Sequence, residues 1–359
     1  RGKISLVKSD MKVLITGLGS IGQRHARCLR RKYGNGIEIH GYRSRRLRQI
    51  IHDDLTMTEG DPAAEYGIIE HRDLDSALEA DPQAVFITNP PDLHVDTALR
   101  AAKCGCHLFI EKPVAQSLNG LDELIRVVDD GELVCLVGQQ FRFHPFTSAF
   151  KRTIDANTLG EISSAEFIFK EYLPGMHPYE DYRLSHASHE ERGGGVILSL
   201  NHYLDIICLL FGDPLEVVCF GGQNGNLGIE AEDTAAILLN YRKENGRLCT
   251  VTVLLDFIKR PRQMEWHLTA ERGSLFADFQ DNVLRRTDHG EGRTSEETDL
   301  VGFERNSMFM DEHAEFFGMI SGEDVDERLP GLVESKGVLD LTLKIRESMQ
   351  AKRIINVSR

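Results

Sequence analysis

Apolar positions are distributed differently in the two halves of the chain. Up to about residue 140, short unbroken apolar runs alternate with helical stretches. Residues 11–16, 37–42, 84–88, 107–110 and 133–138 read as strands, and 20–32, 92–104 and 117–129 as helices between them. Residues 45–80 are weaker and read as helical in pieces. Repeated β-α-β with continuous apolar strands predicts a parallel, doubly wound sheet. After about residue 160 the strand-like runs lie close together, at 162–173, 215–223, 233–242, 247–258, 262–270 and 274–278. Turn signals such as Asn245-Gly246 and Arg272-Gly273-Ser274 separate some of them, which predicts an antiparallel sheet. One helix, 195–211, interrupts this series. Residues 285–305 read as a charged loop, and helices near 308–321 and 331–351 close the chain. The expected domains are 11–140 and 141–359, with residues 1–10 an extension or expression remnant.

The first strand runs into Gly17-Leu-Gly19-Ser20-Ile21-Gly22 and then a helix. This is the fingerprint of a dinucleotide-binding βαβ unit. Gly17 allows the tight turn, Gly19 lets backbone approach a pyrophosphate, and Gly22 lets helix and strand pack closely. The helix N-terminus then offers free N–H groups and a favourable dipole to the phosphates.

Composition narrows the picture. The chain has 359 residues, 41% hydrophobic and 27% charged, as expected of two globular domains. Its net charge of −14 argues against a nucleic-acid partner. No apolar run approaches the roughly 20 residues that span a bilayer. Seven scattered cysteines suit a reducing cytoplasm, and no set has zinc-ligand spacing, so no metal is expected.

Three further segments join the glycine fingerprint. They are Thr88-Asn89-Pro90-Pro91-Asp92-Leu93-His94, then Glu111-Lys112-Pro113, then Gly193-Gly194-Gly195 leading to Ser199-Leu-Asn201-His202-Tyr-Leu-Asp205. In this order and spacing the chain resembles the glucose–fructose oxidoreductase/inositol dehydrogenase (Gfo/Idh/MocA) family. The resemblance covers almost the whole chain. It implies an N-terminal Rossmann domain and a C-terminal domain with a large, mostly antiparallel sheet, its last helix packing back on the first domain. It also implies hydride transfer between a nicotinamide cofactor and a sugar-like carbon, and a homodimer or homotetramer. Some similar relatives act on nucleotide sugars or sialic-acid-like sugars.

By the same resemblance Lys112 reaches both nicotinamide and the reacting hydroxyl, where a fixed ammonium would stabilise an oxyanion. The cofactor contacts expected are Gly17, Gly19, Ser20, Ile21, Gly22, Asn89, Pro90, His94, Glu111 and Lys112, and Pro113 is expected to follow a cis bond. His202 is the candidate general acid/base, with an ordinary pKa near 6.5. Relatives place an Asp before this His. Here Ser199 stands in its place, and Asn201 replaces a Ser. On one continuous helix, Ser199 and Asp205 would each lie one turn from His202. Tyr182 and Arg183 lie in a segment that covers the substrate in relatives. Arg142 is a further substrate candidate, or else a structural ion-pair partner.

The second strand ends Tyr42-Arg43-Ser44-Arg45-Arg46. NAD enzymes usually carry an acid roughly 20 residues beyond the fingerprint, which here lands on Tyr42. Arginines instead bind a 2′-phosphate. NADP is therefore expected, with NAD left open. The expected activity is an NADP-dependent sugar oxidoreductase. The alternative is a catalytically impaired, cofactor-binding regulator of the same fold.

Overall fold

A computed structural model describes residues 11–357 apart from 47, 244, 298, 299, 301 and 302. The expectation for residues 1–10 therefore lies outside the described residues. The chain forms two compact units: residues up to Phe143 with Glu304–Gly337, and His144–Phe303 with the chain from Val338.

The first unit opens with β1 (Met11–Thr16), α1 (Ser20–Tyr33) and β2 (Ile37–Tyr42). A small hairpin follows, β3 (Gln49–Ile51) with β4 (Met57–Glu59), then α2 (Pro62–Glu65), β5 (Ile69–His71) and α3 (Leu74–Leu78). The region expected to be helical in pieces thus holds two short helices but also three strands. Each helix starts at an aspartate, Asp61 or Asp73, whose carboxylate caps a free N–H. Next come β6 (Ala84–Ile87), α4 (His94–Lys103), β7 (His107–Ile110), α5 (Leu121–Asp130) and β8 (Cys135–Val137). Helix α5 starts later than expected because Gly120 is left-handed, with φ +78°.

The second unit contains α6 (Pro145–Asp155), β9 (Ile162–Lys170), α7 (Leu173–Met176), α8 (Val196–Ser199) and α9 (Asn201–Phe211). Strands β10 (Glu216–Gly222), β11 (Thr234–Arg242), β12 (Leu248–Asp256), β13 (Gln263–Ala270), β14 (Gly273–Asp278), β15 (Val283–Asp288) and β16 (Arg293–Glu297) follow. The chain then runs through α10 (Arg305–Ile320) and α11 (Leu332–Ala351) to β17 (Ile355–Asn356).

Two expectations need correction here. The charged stretch after 285 is largely a hairpin, β15 pairing antiparallel with β16 from Leu284↔Glu297 to Asp288↔Arg293. It sits at the sheet edge, so it has no apolar alternation to betray it; cross-strand pairs such as Arg285–Glu296 and Thr287–Thr294 take that place. The helix expected over 195–211 is broken at Leu200, where Glu190–Ser199 and Asn201–Phe211 meet at a bend of 50°.

Six strands of the first unit form a parallel sheet in the order β5-β2-β1-β6-β7-β8. This is the doubly wound order, and it reverses between β1 and β6, where such sheets bind ligands. Phe86 of β6 and Phe109 of β7 stack at 4.8 Å, and Phe316 and Phe317 of α10 close over them. The second unit has a nine-stranded sheet, β16-β15-β14-β13-β9-β12-β11-β10-β17. Among the described residues only its β9–β12 pair is parallel. Its strands alternate buried and less buried positions, so one face carries the core around the fully buried Trp266. Phe220, Leu238 and Leu248 are exposed on this sheet. Among the described residues no single helix is long and apolar enough to cross a membrane.

His144 ties α6 to this core. Its Nδ1 accepts the Phe146 N–H at 3.1 Å and caps α6, and its ring packs on Phe279. Burial pushes its pKa down from 6.5 to about 3. The unfolded chain takes up this proton near pH 6.5 but the folded chain only near 3. Stability is therefore full above 6.5 and lost as pH falls through that window, by up to about 1.4 kcal/mol per pH unit. Trp266, the single tryptophan, reports on this unit. Urea unfolding followed by its fluorescence is expected to give a lower midpoint at pH 5 than at pH 7. His144→Asn, which keeps a capping acceptor, is expected to be weaker at pH 7 and to flatten that difference.

Candidate active site

At the switch point the three glycines play different parts. Gly17 has φ +100°, and a Cβ there would lie 3.0 Å from the Thr88 carbonyl and 3.1 Å from the Asn89 nitrogen. A Cβ on Gly22 would lie 1.9 Å from the Gly17 oxygen. Both are demanded by packing. Gly19, by contrast, would point a Cβ into open space. It caps α1, which has no side-chain cap and no acid in its first turn. Ser20 and Ile21 begin that turn. The first turn of α1 holds no acid to offset its N-terminal N–H groups and the positive end of its dipole, and a Cβ on Gly19 would meet nothing within 4 Å. This cradle fits the pyrophosphate of a dinucleotide.

The loops after β6 and β7 flank the same sheet edge. The Thr88 hydroxyl donates to the carbonyls of Thr16 and Gly17, joining β6 to the glycine turn. Asn89 donates to Thr97 at 2.9 Å, with Pro90 next in the chain. His94 is fully buried, its ring nitrogens 2.8 Å from the Asn89 carbonyl and 2.9 Å from that of Pro113. It staples one loop to the other, and burial lowers its pKa. The Lys112–Pro113 bond is cis, as expected. Half-buried Lys112 stands just beyond the carboxyl end of β7.

Glu111 leads into a buried network that the sequence did not reveal. Its Oε1 lies 2.8 Å from His25 Nε2 of α1, and its Oε2 accepts the Lys112 N–H at 3.1 Å. His25 Nδ1 meets His313 Nε2 of α10 at 2.8 Å. Burial and His25 hold His313 neutral, and burial together with Glu111 raises the neighbouring Glu312 carboxyl well above its usual range. His313, His25 and the Glu111 carboxylate thus form one continuous buried chain of hydrogen bonds. The residue before Lys112 is thus braced by two helices far apart in sequence.

The arginines after β2 differ in availability. Arg43 is buried, its Nη2 2.8 Å from both Asp61 and Glu70. Ser44, Arg45 and Arg46 are exposed. Arg142 is also buried, donating to the Arg328 carbonyl at 2.9 Å and pairing with Glu334 at 2.5 Å; this is the structural alternative the sequence left open.

In the second unit, Asn201 and His202 form the first turn of α9, and both are buried. Ser199 ends α8 on the other side of the break. Spacing on one helix therefore does not place Ser199 beside His202, whereas fully buried Asp205 does lie one turn along α9. The Tyr182 hydroxyl donates to the Leu227 carbonyl at 2.8 Å, and Arg183 is exposed and pairs with Asp181. The triple glycine has a local cause. A Cβ on Gly194 would strike the carbonyls of His186, His189 and Ala187 at 2.4–2.7 Å. Gly195 lies against the carboxylate of Glu232, which accepts the Ile197 N–H at 3.2 Å and pairs with Arg346 at 2.9 Å. Arg346 also donates to the Gly194 carbonyl at 2.6 Å. Glu232 thereby caps α8, and no sequence motif points to it or to Arg346. Cys104 is exposed and Cys106 buried, so the Cys-Gly-Cys segment does not present two thiols together.

A doubly wound sheet with a dinucleotide cradle, followed by a second unit on a large mixed sheet, defines a two-domain dinucleotide-binding protein. Residues 11–139 match the family model described as "Oxidoreductase family, NAD-binding Rossmann fold", and residues 147–276 match the "GFO/IDH/MocA C-terminal domain". The chain belongs to the GFO/IDH/MocA oxidoreductase family. It is 24% identical over 276 residues to 4-carboxy-2-hydroxymuconate-6-semialdehyde dehydrogenase of Sphingobium sp., covering 76% of this chain and 81% of that one. It is 28% identical over 207 residues to inositol 2-dehydrogenase of Rhizobium meliloti, covering 56% of each. Among solved structures, levoglucosan dehydrogenase in complex with NADH and L-sorbose aligns with a TM-score of 0.79 at 17% identity, over 98% of this chain and all of that one (100%). The WlbA dehydrogenase of Bordetella pertussis with NADH and UDP-GlcNAcA aligns with a TM-score of 0.76 at 17% identity, over 98% and 99%.

The glycine contacts make a direct test. Gly195 has φ +92°, and a Cβ would lie 2.3 Å from three atoms of the Glu232 carboxylate, itself fixed by Arg346. Gly195→Ala is expected to cost about 2–4 kcal/mol. Gly212→Ala, with positive φ but nothing within 4 Å, is expected to cost less. Thermal unfolding of both variants checks the order.

Proposed function

We propose that the protein moves a hydride between NADP(H) and the carbinol carbon of a sugar or sugar derivative. The cradle at Gly19 carries this reading: two glycines required by packing surround one that faces open space, at the N-terminus of an uncapped helix. The names of the relatives, inositol 2-dehydrogenase and levoglucosan dehydrogenase, support a polyhydroxylated substrate. The relative crystallised with UDP-GlcNAcA supports a nucleotide sugar within that class. A bound nicotinamide supplies or accepts the hydride. The half-buried Lys112 ammonium stabilises the oxyanion that develops on the substrate, and His202 exchanges the hydroxyl proton. Gly17, Gly19, Ser20, Ile21 and Gly22 hold the phosphates. Asn89, Pro90, His94 and Glu111 shape the loops beside the nicotinamide. Ser44, Arg45 and Arg46 favour the 2′-phosphate: their side chains are exposed and an arginine fork binds a phosphate bidentately, with Arg46 also 3.3 Å from Glu70. Asn201, Ser199, Tyr182 and Arg183 contribute to substrate recognition.

A screen of NADPH oxidation against keto-sugars and nucleotide keto-sugars tests the reaction. On a substrate so found, His202→Asn is expected to lower turnover by about 10²–10⁴-fold, and Lys112→Ala by at least as much, with cofactor affinity changed less. Unchanged turnover in His202→Asn would overturn the proton-transfer role, whereas cofactor binding with no turnover on any such substrate would favour the regulator reading.

We also propose that the less buried face of the nine-stranded sheet is covered by a second copy. Phe220, Leu238 and Leu248 are exposed on that face, and a second copy related by a two-fold axis would cover them. Light scattering at micromolar concentration is expected to give at least a dimer, and a monomer would refute this.

A further inference from the structure

No acid stands at the end of β2, but two acids reach that point from elsewhere. Asp61 is the cap of α2, and Glu70 belongs to β5, where its Cα pairs with that of Gly41. Arg43 Nη2 donates to Asp61 Oδ1 and Glu70 Oε2, both at 2.8 Å, and only 7% of its side chain is exposed. On the other side of Glu70, Arg46 places Nε 3.3 Å from Oε1. The Glu70 carboxylate therefore lies between two of the three arginines that the sequence assigns to a 2′-phosphate.

We propose that Glu70 and Asp61 are specificity-determining residues that hold down affinity for the 2′-phosphate of NADP(H) while leaving NAD(H) affinity intact. The proposal rests on the cofactor reading of the glycine turn and of the segment after β2. Its physical basis is competition. Arg43, Arg45 and Arg46 alone would present three positive charges, and the two carboxylates reduce that to one. A phosphomonoester carries about −1.5 to −2 at neutral pH, so it must break or share ion pairs already made. A ribose 2′-hydroxyl carries no charge and meets no such penalty. Glu70 is 20% exposed at its side chain and is the kind of acceptor that hydroxyl uses. The device escapes a motif search because its acid comes from the neighbouring strand, 28 residues beyond Tyr42, rather than from β2 itself.

The test is calorimetric titration of NADPH and NADH into the full chain and into Glu70→Gln, Asp61→Asn and Glu79→Gln. Gln and Asn keep the hydrogen-bonding shape, and Asn retains a capping acceptor for α2. Glu79 is an exposed acid at the end of α3 and controls for net charge. Glu70→Gln is expected to tighten NADPH by roughly three- to tenfold, with the gain shrinking in high salt, and to change NADH less than twofold. Asp61→Asn should move the ratio in the same direction, and Glu79→Gln should leave it unchanged. An NADPH-to-NADH affinity ratio within twofold of the parent in a folded Glu70→Gln protein overturns the proposal, as does weaker NADPH binding. A parent that prefers NADH removes the NADP assignment alone, since the shift in Glu70→Gln still decides the role of Glu70. A parent that binds neither cofactor removes both.

Discussion

Between Gly22 and the carbonyl of Gly17 there is no room for a side chain, and the first unit is arranged around that approach. Because α1 comes this close to the turn after β1, Thr88 can bond back to both Thr16 and Gly17 and fix β6 beside β1. The same approach brings the buried face of α1, with His25, over the aromatic pair Phe86 and Phe109. His25 then reaches Glu111 at the end of β7. One close backbone contact thus sets the position of the phosphate cradle and, through His25 and Glu111, the start of the loop that carries Lys112.

Both units hold their glycine- and proline-bearing loops by buried charge or hydrogen bonding rather than by loop sequence alone. In the first, Glu111 is braced by His25 and His313; in the second, the triple glycine is clamped by Glu232 and Arg346. In each case a polar group that would be costly to bury alone is satisfied by partners from distant segments. Gly194 and Gly195 are there for the carbonyls of His186, Ala187 and His189 and for the carboxylate of Glu232, so their role is packing.

The parts of this arrangement legible in the sequence are those with a local signature. Strands β1, β2, β6 and β7 lie within a residue of their expected ends; β1, β6 and β7 are legible because strands buried on both faces are nearly continuous apolar runs, and β2 because it follows the glycine fingerprint and its helix. The cradle was legible because each glycine answers to a steric need within a few residues. The edge hairpin β15–β16 and the small β3–β4 hairpin were not: β15 is polar after Val283-Leu284 and β16 is polar throughout, while β3 and β4 are three residues each, too short to show a period. The break at Leu200 has no Pro or Gly to mark it, so Ser199 and His202 read as one turn of one helix. Glu232, Arg346, His313 and Glu70 were invisible for a different reason: each meets its partner across tens to hundreds of residues, and a charged residue in a helix or strand looks like any solvated one until its partner is in place.

The discontinuity of the first unit has a consequence for how the protein comes off the ribosome. The sheet and its first five helices are complete by residue 143, yet Phe316, Phe317 and His313, which cover Phe86 and Phe109, arrive only with α10. The whole of the second unit's main sheet apart from β17 is synthesised in between. The nascent Rossmann sheet must therefore wait with one aromatic face uncovered, and its last helix is inserted after roughly 160 further residues have been made. A fragment ending near residue 143 contains every motif for binding a dinucleotide and lacks the lid of its own core. Possession of the fingerprint and possession of a foldable domain are, in this chain, separate properties.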